Sequence, residues 1–203
     1  MGKGRFFGSA AAFALIFGAA VYIGCGGSSN DQGISFRALG FFQDADLTTG
    51  DAGRCASLRD TTIIPEPGPD NGGFLGLQNQ MAQGINVNRV DLSYHINGSS
   101  LAIPNDVFAL SQRLGPANGS ESSPPTAGVQ IVIVSPQVMQ FLNDNSSRLP
   151  DLPFSMVVFA TAVGTADNSD QFESNRVSYQ VLFTAQSGGC AIPTPTPGDS
   201  TAG

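Results

Sequence analysis

Three aspartates lie within the short stretch 44–51 near the start of the chain, at Asp44, Asp46 and Asp51. Hard cations such as Ca²⁺ prefer several oxygen ligands from one flexible loop, so this stretch is a candidate calcium site. Its spacing differs from that of an EF-hand, which needs oxygens at alternate positions and a glutamate at the twelfth. Aspartate, threonine and glycine also form turns and cap backbone amides without a metal, and that alternative stays open.

A second acidic loop contains Asp167, Asp170 and Glu173. The same two interpretations, a turn or a cation site, apply to it. The two loops could share one ion if the fold brings them to the same end of the domain.

Residues for nucleophilic catalysis are scarce. His95 is the single histidine, and the sequence contains no Gly-x-Ser-x-Gly nucleophile elbow. His95 alternates out of phase with the apolar residues around it, which predicts that it points outward from its strand. Cys55 and Cys190 could supply a thiol, but paired cysteines are the commoner use in an exported chain. We therefore predict that the protein is not an enzyme.

A carbohydrate site is the other small-ligand possibility for this chain. Such sites usually stack aromatic rings on the apolar face of a sugar. The sequence has no tryptophan, and alternation places both Tyr94 and Tyr179 on inward faces. A Ca²⁺-dependent or carbohydrate-binding module is therefore the alternative function rather than the favoured one.

The first 24 residues have the pattern of an export signal. Lys3 and Arg5 precede an apolar run over 6–23, which ends at Gly24 and Cys25. The run is also about long enough to cross a bilayer core without cleavage, and ordinary cleavage near 18–20 is a further alternative.

The end of this leader, Tyr22-Ile23-Gly24-Cys25, resembles the lipobox of bacterial lipoproteins. In that family a small residue precedes an obligatory cysteine, which becomes the lipidated first residue. Tyr22 departs from the pattern, because an aliphatic residue is usual at that position. The resemblance implies a signal peptide over 1–24, lipid on Cys25 and attachment to the membrane. The following stretch, 25–33, is rich in glycine and serine and is predicted to be a flexible tether.

The cysteine count agrees with this interpretation. The chain has three cysteines, and an odd number in an exported protein needs an explanation. If Cys25 carries lipid, Cys55 and Cys190 are left to form a disulfide. In the chain-entropy model a bridge over a loop this long stabilises the fold by about 5 kcal/mol. Two separate buried thiols are the alternative.

Composition excludes some classes of partner. Charged residues are only 12% of the chain and its net charge is −7, with no cluster of lysine and arginine to contact phosphates. We therefore predict no nucleic-acid binding. Removal of the leader takes away the only lysine and one arginine, so the mature chain would be more acidic still. Hydrophobic residues make up 41%, which is enough for a substantial core.

Alternation of apolar and polar residues indicates β-strands along most of the chain. Between Ile85 and Ile96 the phase of this alternation slips at Asn88 and Arg89, which predicts a β-bulge. One short helix is predicted where Ser135 caps Pro136. The predicted strands are 34–42, 85–96, 129–134, 154–163 and 177–184, with weaker candidates at 61–64, 74–78 and 107–110.

Seven or eight short strands separated by turns predict an all-β fold, an antiparallel β-sandwich with one short helix. The order of a late strand, a turn and a final alternating strand resembles the closing hairpin of immunoglobulin-like modules, although the Cys-Trp-Cys signature is absent. The sandwich domain is predicted to cover 34–190, and the Pro/Thr-rich tail over 191–203 is predicted to be disordered.

Together these observations predict an exported lipoprotein with a structural or interaction role. Its predicted partners are the membrane, through the lipid anchor, and another envelope or surface protein. In lipoproteins an acidic residue after the lipidated cysteine implies retention at the inner membrane, and here that residue is Gly26. We therefore expect the protein at the outer membrane or the cell surface.

Overall fold

The computed structural model describes residues 35–66, 73–117 and 123–186. The predicted signal peptide, tether and tail, together with Cys25 and Cys190, lie outside the described residues, so those predictions stay as they are.

Nine strands and one α-helix make up the described part of the chain, with a 3₁₀ turn at Ser146–Arg148 after the helix. In chain order the elements are β1 Phe36–Phe42, β2 Arg54–Ala56, β3 Phe74–Asn79, β4 Ile85–Ile96, β5 Asp106–Leu114, β6 Thr126–Gln130, α1 Pro136–Asp144, β7 Phe154–Ala166, β8 Gln171–Glu173 and β9 Val177–Phe183.

The strands form two sheets. The smaller sheet has the order β1-β3-β6, and the larger has the order β2-β9-β7-β4-β5, with β8 paired to β7 beside that path. The ladders are antiparallel except for the pair β2 and β9, which run parallel. The prediction of an all-β fold with one short α-helix is confirmed at this level.

β4 begins and ends where the alternation predicted, at Ile85 and Ile96. The bulge is also confirmed, because the registers of β4 with both neighbours shift between Val87 and Arg89. Against β7, Asn88 is the extra residue, and it lets Val87 and Val90 both face the core. Against β5, two residues of that strand, Leu110 and Ser111, lie opposite Asn88.

The helix also forms where the sequence predicted it. The Ser135 side chain accepts a hydrogen bond from the Val138 amide at 3.4 Å, and Pro136 occupies the first turn, where its missing N–H costs nothing. Val138, Met139 and Leu142 are the buried face of the helix.

Three local predictions differ from the structure. The segment 61–64 forms only one isolated bridge, between Ile63 and Val134, and β6 ends at Gln130 instead of continuing to 134. The three-residue strands β2 and β8 were not predicted. Such short strands are defined by pairing with distant residues, so they leave too few residues for a visible alternation.

One hydrophobic cluster collects residues from both sheets and from the helix. β7 supplies much of it, because Met156, Val158, Ala160 and Ala162 are all fully buried. Phe154 of β7 and Phe183 of β9 stack with ring centroids 4.9 Å apart. The core therefore fixes the larger sheet around β7.

Replacing Leu75 tests this shared core. Leu75 is fully buried in the central strand of the smaller sheet. Leu75→Ala should lower the free energy of unfolding by about 2–5 kcal/mol, because it leaves a cavity. Leu39→Ala, in the neighbouring strand but 36% exposed, should cost less than about 1 kcal/mol. Urea denaturation measures both, and equal losses would contradict a core at this place.

Candidate functional site

The segment that carries the first acidic stretch is tied to the larger sheet by a buried tyrosine. Tyr179 in β9 is 2% exposed, and its hydroxyl donates a hydrogen bond to Asp51 Oδ2 at 3.0 Å. The Glu66 amide donates to both of these atoms, at 3.0 Å to the hydroxyl and 2.8 Å to the carboxylate. Phe41 meets the Tyr179 ring edge-on, with centroids 4.9 Å apart.

The electrostatics of this contact favour a neutral tyrosine. Burial of the ring, followed by the charge of Asp51, raises the pKa of Tyr179 far above its ordinary value. The hydroxyl therefore keeps its proton and remains a donor to the carboxylate. Asp51 Oδ1 accepts a second backbone bond, from the Gly53 amide at 2.9 Å. Both oxygens of Asp51 are thus used to hold the chain in place.

Asp44 has a similar local role. Its two carboxylate oxygens accept the amides of Thr48 and Thr49 at 2.8 and 2.7 Å. The hydrogen bond from Thr48 is the main reason that the pKa of Asp44 is lowered. Asp46, the third predicted ligand, is exposed.

Within residues 35–66, 73–117 and 123–186, no group of three or more His, Cys, Asp or Glu side chains is arranged to hold a metal ion. The calcium site predicted at Asp44, Asp46 and Asp51 therefore gains no support. The bonds of Asp44 and Asp51 favour the alternative, that these residues shape turns.

The second acidic loop holds an ion pair. Arg113 donates to both oxygens of Asp167, at 2.6 and 3.0 Å, and the Gly84 amide donates to Oδ2 at 2.9 Å. The bond from Arg113 is the main cause of the lowered pKa of Asp167. A Cβ atom on Gly84 would collide with the Arg113 guanidinium, so glycine makes room for this pair.

Cys55 lies in β2 and is 5% exposed. In the parallel ladder it is opposite Leu182 of β9. The Thr184 amide donates to the Ala56 carbonyl at 2.9 Å, so the chain that leaves β9 runs beside β2. Cys190, its predicted partner, follows this point by six residues and is outside the described ranges.

The two aromatic residues considered for ligand binding differ in their surroundings. Tyr179 faces the core, as predicted. Tyr94 is half-buried, and its hydroxyl has no hydrogen-bond partner among the described residues. Burial is the main cause of its raised pKa. His95, the next residue along β4, is exposed, which agrees with the predicted outward direction.

The outer face of the larger sheet carries a cleft that the sequence did not reveal. Arg176 precedes β9, and its guanidinium lies 3.8 Å from the centre of the Phe159 ring in β7. Its Nη2 donates to Ser93 Oγ of β4 at 2.9 Å. This arginine makes no ion pair with a described residue. It is therefore a fixed cation with donors left for a partner.

The cleft has a volume of about 410 Å³. Asp91 and Asp106 place negative charge beside Arg176, although Asp91 is already paired with Arg89 at 2.9 Å. Val107 adds an apolar rim that is 57% exposed. The cleft is lined by Asp91, Leu92, Ser93, Asn105, Asp106, Val107, Thr161 and Arg176. Charged, polar and apolar side chains thus lie side by side in its lining.

Among the residues described, no helix combines the length and the apolar character needed to cross a bilayer. Comparison of the chain with protein-family models, curated proteins and solved structures gave no match.

The two tyrosines provide a matched test of the contact with Asp51. Tyr179→Phe should lower the free energy of unfolding by about 1–3 kcal/mol, because the half-buried Asp51 carboxylate and the Glu66 amide each lose one of their hydrogen-bond partners. Tyr94→Phe removes a hydroxyl that has no partner in the described part of the chain, so stability should be unchanged or slightly higher. Chemical denaturation of both variants measures the difference. A larger loss for Tyr94→Phe would contradict the assignment.

Proposed function

We propose that this chain is an exported lipoprotein, attached to the membrane through lipid on Cys25, whose β-domain binds another envelope or surface protein without catalysis. The leader supports the first half of this proposal. It has a basic start, an uninterrupted apolar run and a lipobox-like ending at Cys25. The glycine- and serine-rich stretch after Cys25 suits a tether between a membrane surface and a domain.

The cleft around Arg176 is the observation that carries the binding role. A guanidinium held by Phe159 and Ser93 loses little side-chain entropy when it binds a carboxylate, because its position is already fixed. Exposed Val107 adds apolar area next to this charge. Arginine beside apolar surface is typical of the residues that contribute most to protein interfaces.

A disulfide between Cys55 and Cys190 is part of the proposal. Cys55 is buried beside β9, and Cys190 follows Thr184 closely enough for six extended residues to span about 20 Å. Such a reach lets the chain turn back to β2. The bridge would fasten the end of the last strand to a short edge strand, in a compartment where disulfides persist.

We also propose that the two sheets pack as an immunoglobulin-like sandwich. The support is the single cluster that takes core residues from both sheets, together with the pairing of β9 with β7 near the end of the domain. The parallel pair of β2 and β9 is the feature that such a sandwich must accommodate.

Lipidation can be tested on the mature protein. We expect intact-mass analysis to show a chain that begins at Cys25 and carries a mass increment of acyl chains, and fractionation to place it with membranes. Cys25→Ala should prevent lipid attachment and abolish the increment. More than one acyl chain is needed for stable attachment, at about 0.8 kcal/mol per buried CH₂.

Gly26→Ala is the matched control, because it changes the neighbouring residue and keeps the thiol. It should retain the lipid and the membrane fraction. A wild-type protein that keeps Met1 and remains in the cytosol would contradict the proposal.

A further inference from the structure

β5 is the edge strand of the larger sheet, and it is the longest edge that the described residues contain. Seven of its nine residues pair with β4 on one side, with a register shift where Leu110 and Ser111 lie opposite Asn88. No described strand pairs with the other side. The remaining edges are shorter. β2 has three residues, β6 has five and β1 has seven.

Lysine and proline, two usual protections of a long edge, are missing from β5. Soluble proteins block such edges with these residues or with a bulge that turns the strand away. The ladder of β5 with β4 has one register shift, but more and less exposed residues alternate along the whole of β5, so the strand continues past it. β5 contains neither lysine nor proline. Its single cation, Arg113, is held by Asp167 and so does not extend over the edge.

The outward backbone groups of β5 are identified by their local bonds. The Val107 amide donates to its neighbour's carboxylate, Asp106 Oδ1, at 2.8 Å, and the Arg113 carbonyl accepts the Gln112 side chain at 3.1 Å. These groups therefore point away from β4. Because strand residues alternate in direction, the backbone groups of Ala109 and Ser111 point the same way.

The side chains of β5 show where a neighbouring strand is lacking. Phe108 and Leu110 pack against the core but stay partly exposed. Val107, on the other face, is 57% exposed. A further strand on this edge would cover all three.

We propose that a second copy of this chain pairs with β5 in antiparallel direction, with a two-fold axis at Ala109, so that two larger sheets become one. In this register Ala109 faces its own copy, Phe108 faces Leu110, and Val107 faces Ser111. Paired residues then point to the same face, as an antiparallel ladder requires. The pairing forms about six main-chain hydrogen bonds, and the two from the Val107 amides replace their bonds to Asp106.

Charge and polarity select this register over its neighbours. The axis at Ala109 places Asp106 opposite Gln112, whose amide can donate to the carboxylate. Moving the axis by one residue places Asp106 opposite Leu110 or Leu114 and leaves a carboxylate against an apolar side chain. The two Asp106 carboxylates lie at opposite ends of the paired strands, about 20 Å apart, so the acidic chain does not repel itself here.

Cysteine substitution tests the pairing and its register together. In the proposed dimer the two Ala109 Cα atoms are about 5.5 Å apart, within disulfide range. The two Ser111 Cα atoms are about 14 Å apart, which is out of range. After mild oxidation of the full processed chain in detergent, Ala109→Cys should run as a dimer on a non-reducing gel.

Ser111→Cys is the matched control, because it is exposed on the same edge and the same face. On the same non-reducing gel it should run as a monomer, like the wild-type chain, because neither forms a covalent cross-link. Equal cross-linking of both variants, cross-linking of Ser111→Cys alone, or none in either would overturn the proposal.

A pair of charge variants gives a second measurement that does not depend on oxidation. Ala109→Lys and Ala109→Glu each place like charges opposite each other at the axis, so each should raise the dimer dissociation constant about fivefold. An equal mixture of the two should restore the dimer. Ser178→Lys, exposed on β9 of the same sheet, should leave the dimer unchanged. Sedimentation that shows a wild-type monomer at all concentrations would overturn the proposal.

Discussion

The hydrogen bond from Tyr179 to Asp51 fixes the described chain between β1 and β3, which has little regular structure. It joins residues 128 positions apart, and the Glu66 amide closes the same contact. Between β1 and β3, the described residues 43–66 and 73 contain only the three-residue strand β2. A buried hydroxyl that donates to a half-buried carboxylate gives this segment one position against the sheet. The placement of Cys55 depends on that position.

β7 positions the side chains on the outer face of the larger sheet. It pairs with β4 and β9, which brings Ser93 and Ser178 to either side of Phe159. Arg176 can then lie over the ring and reach Ser93 at once. β7 thus buries Val158 and Ala160 on one face, while Phe159 on its other face holds the Arg176 guanidinium in place. The proposed docking surface is a consequence of the same register that fills the core.

The regular elements were predictable from the chain because their patterns are local. β4 shows alternation over its full length with one slip, and the helix shows a serine cap followed by proline. The contacts of the site are not local. Arg176 stacks on a ring 17 residues earlier only because β7 and β9 pair in one register. Asp51 looked like a metal ligand because the sequence does not show that its oxygens accept a tyrosine hydroxyl and backbone amides.

The proposed exported domain has a disulfide that holds β2 beside the end of β9. Alkylation of the unfolded protein with and without reduction, followed by intact-mass measurement, tests this disulfide most directly. The account predicts no modified thiol before reduction and two after it, on Cys55 and Cys190, with Cys25 blocked by lipid. Two or more thiols modified without reduction would contradict it.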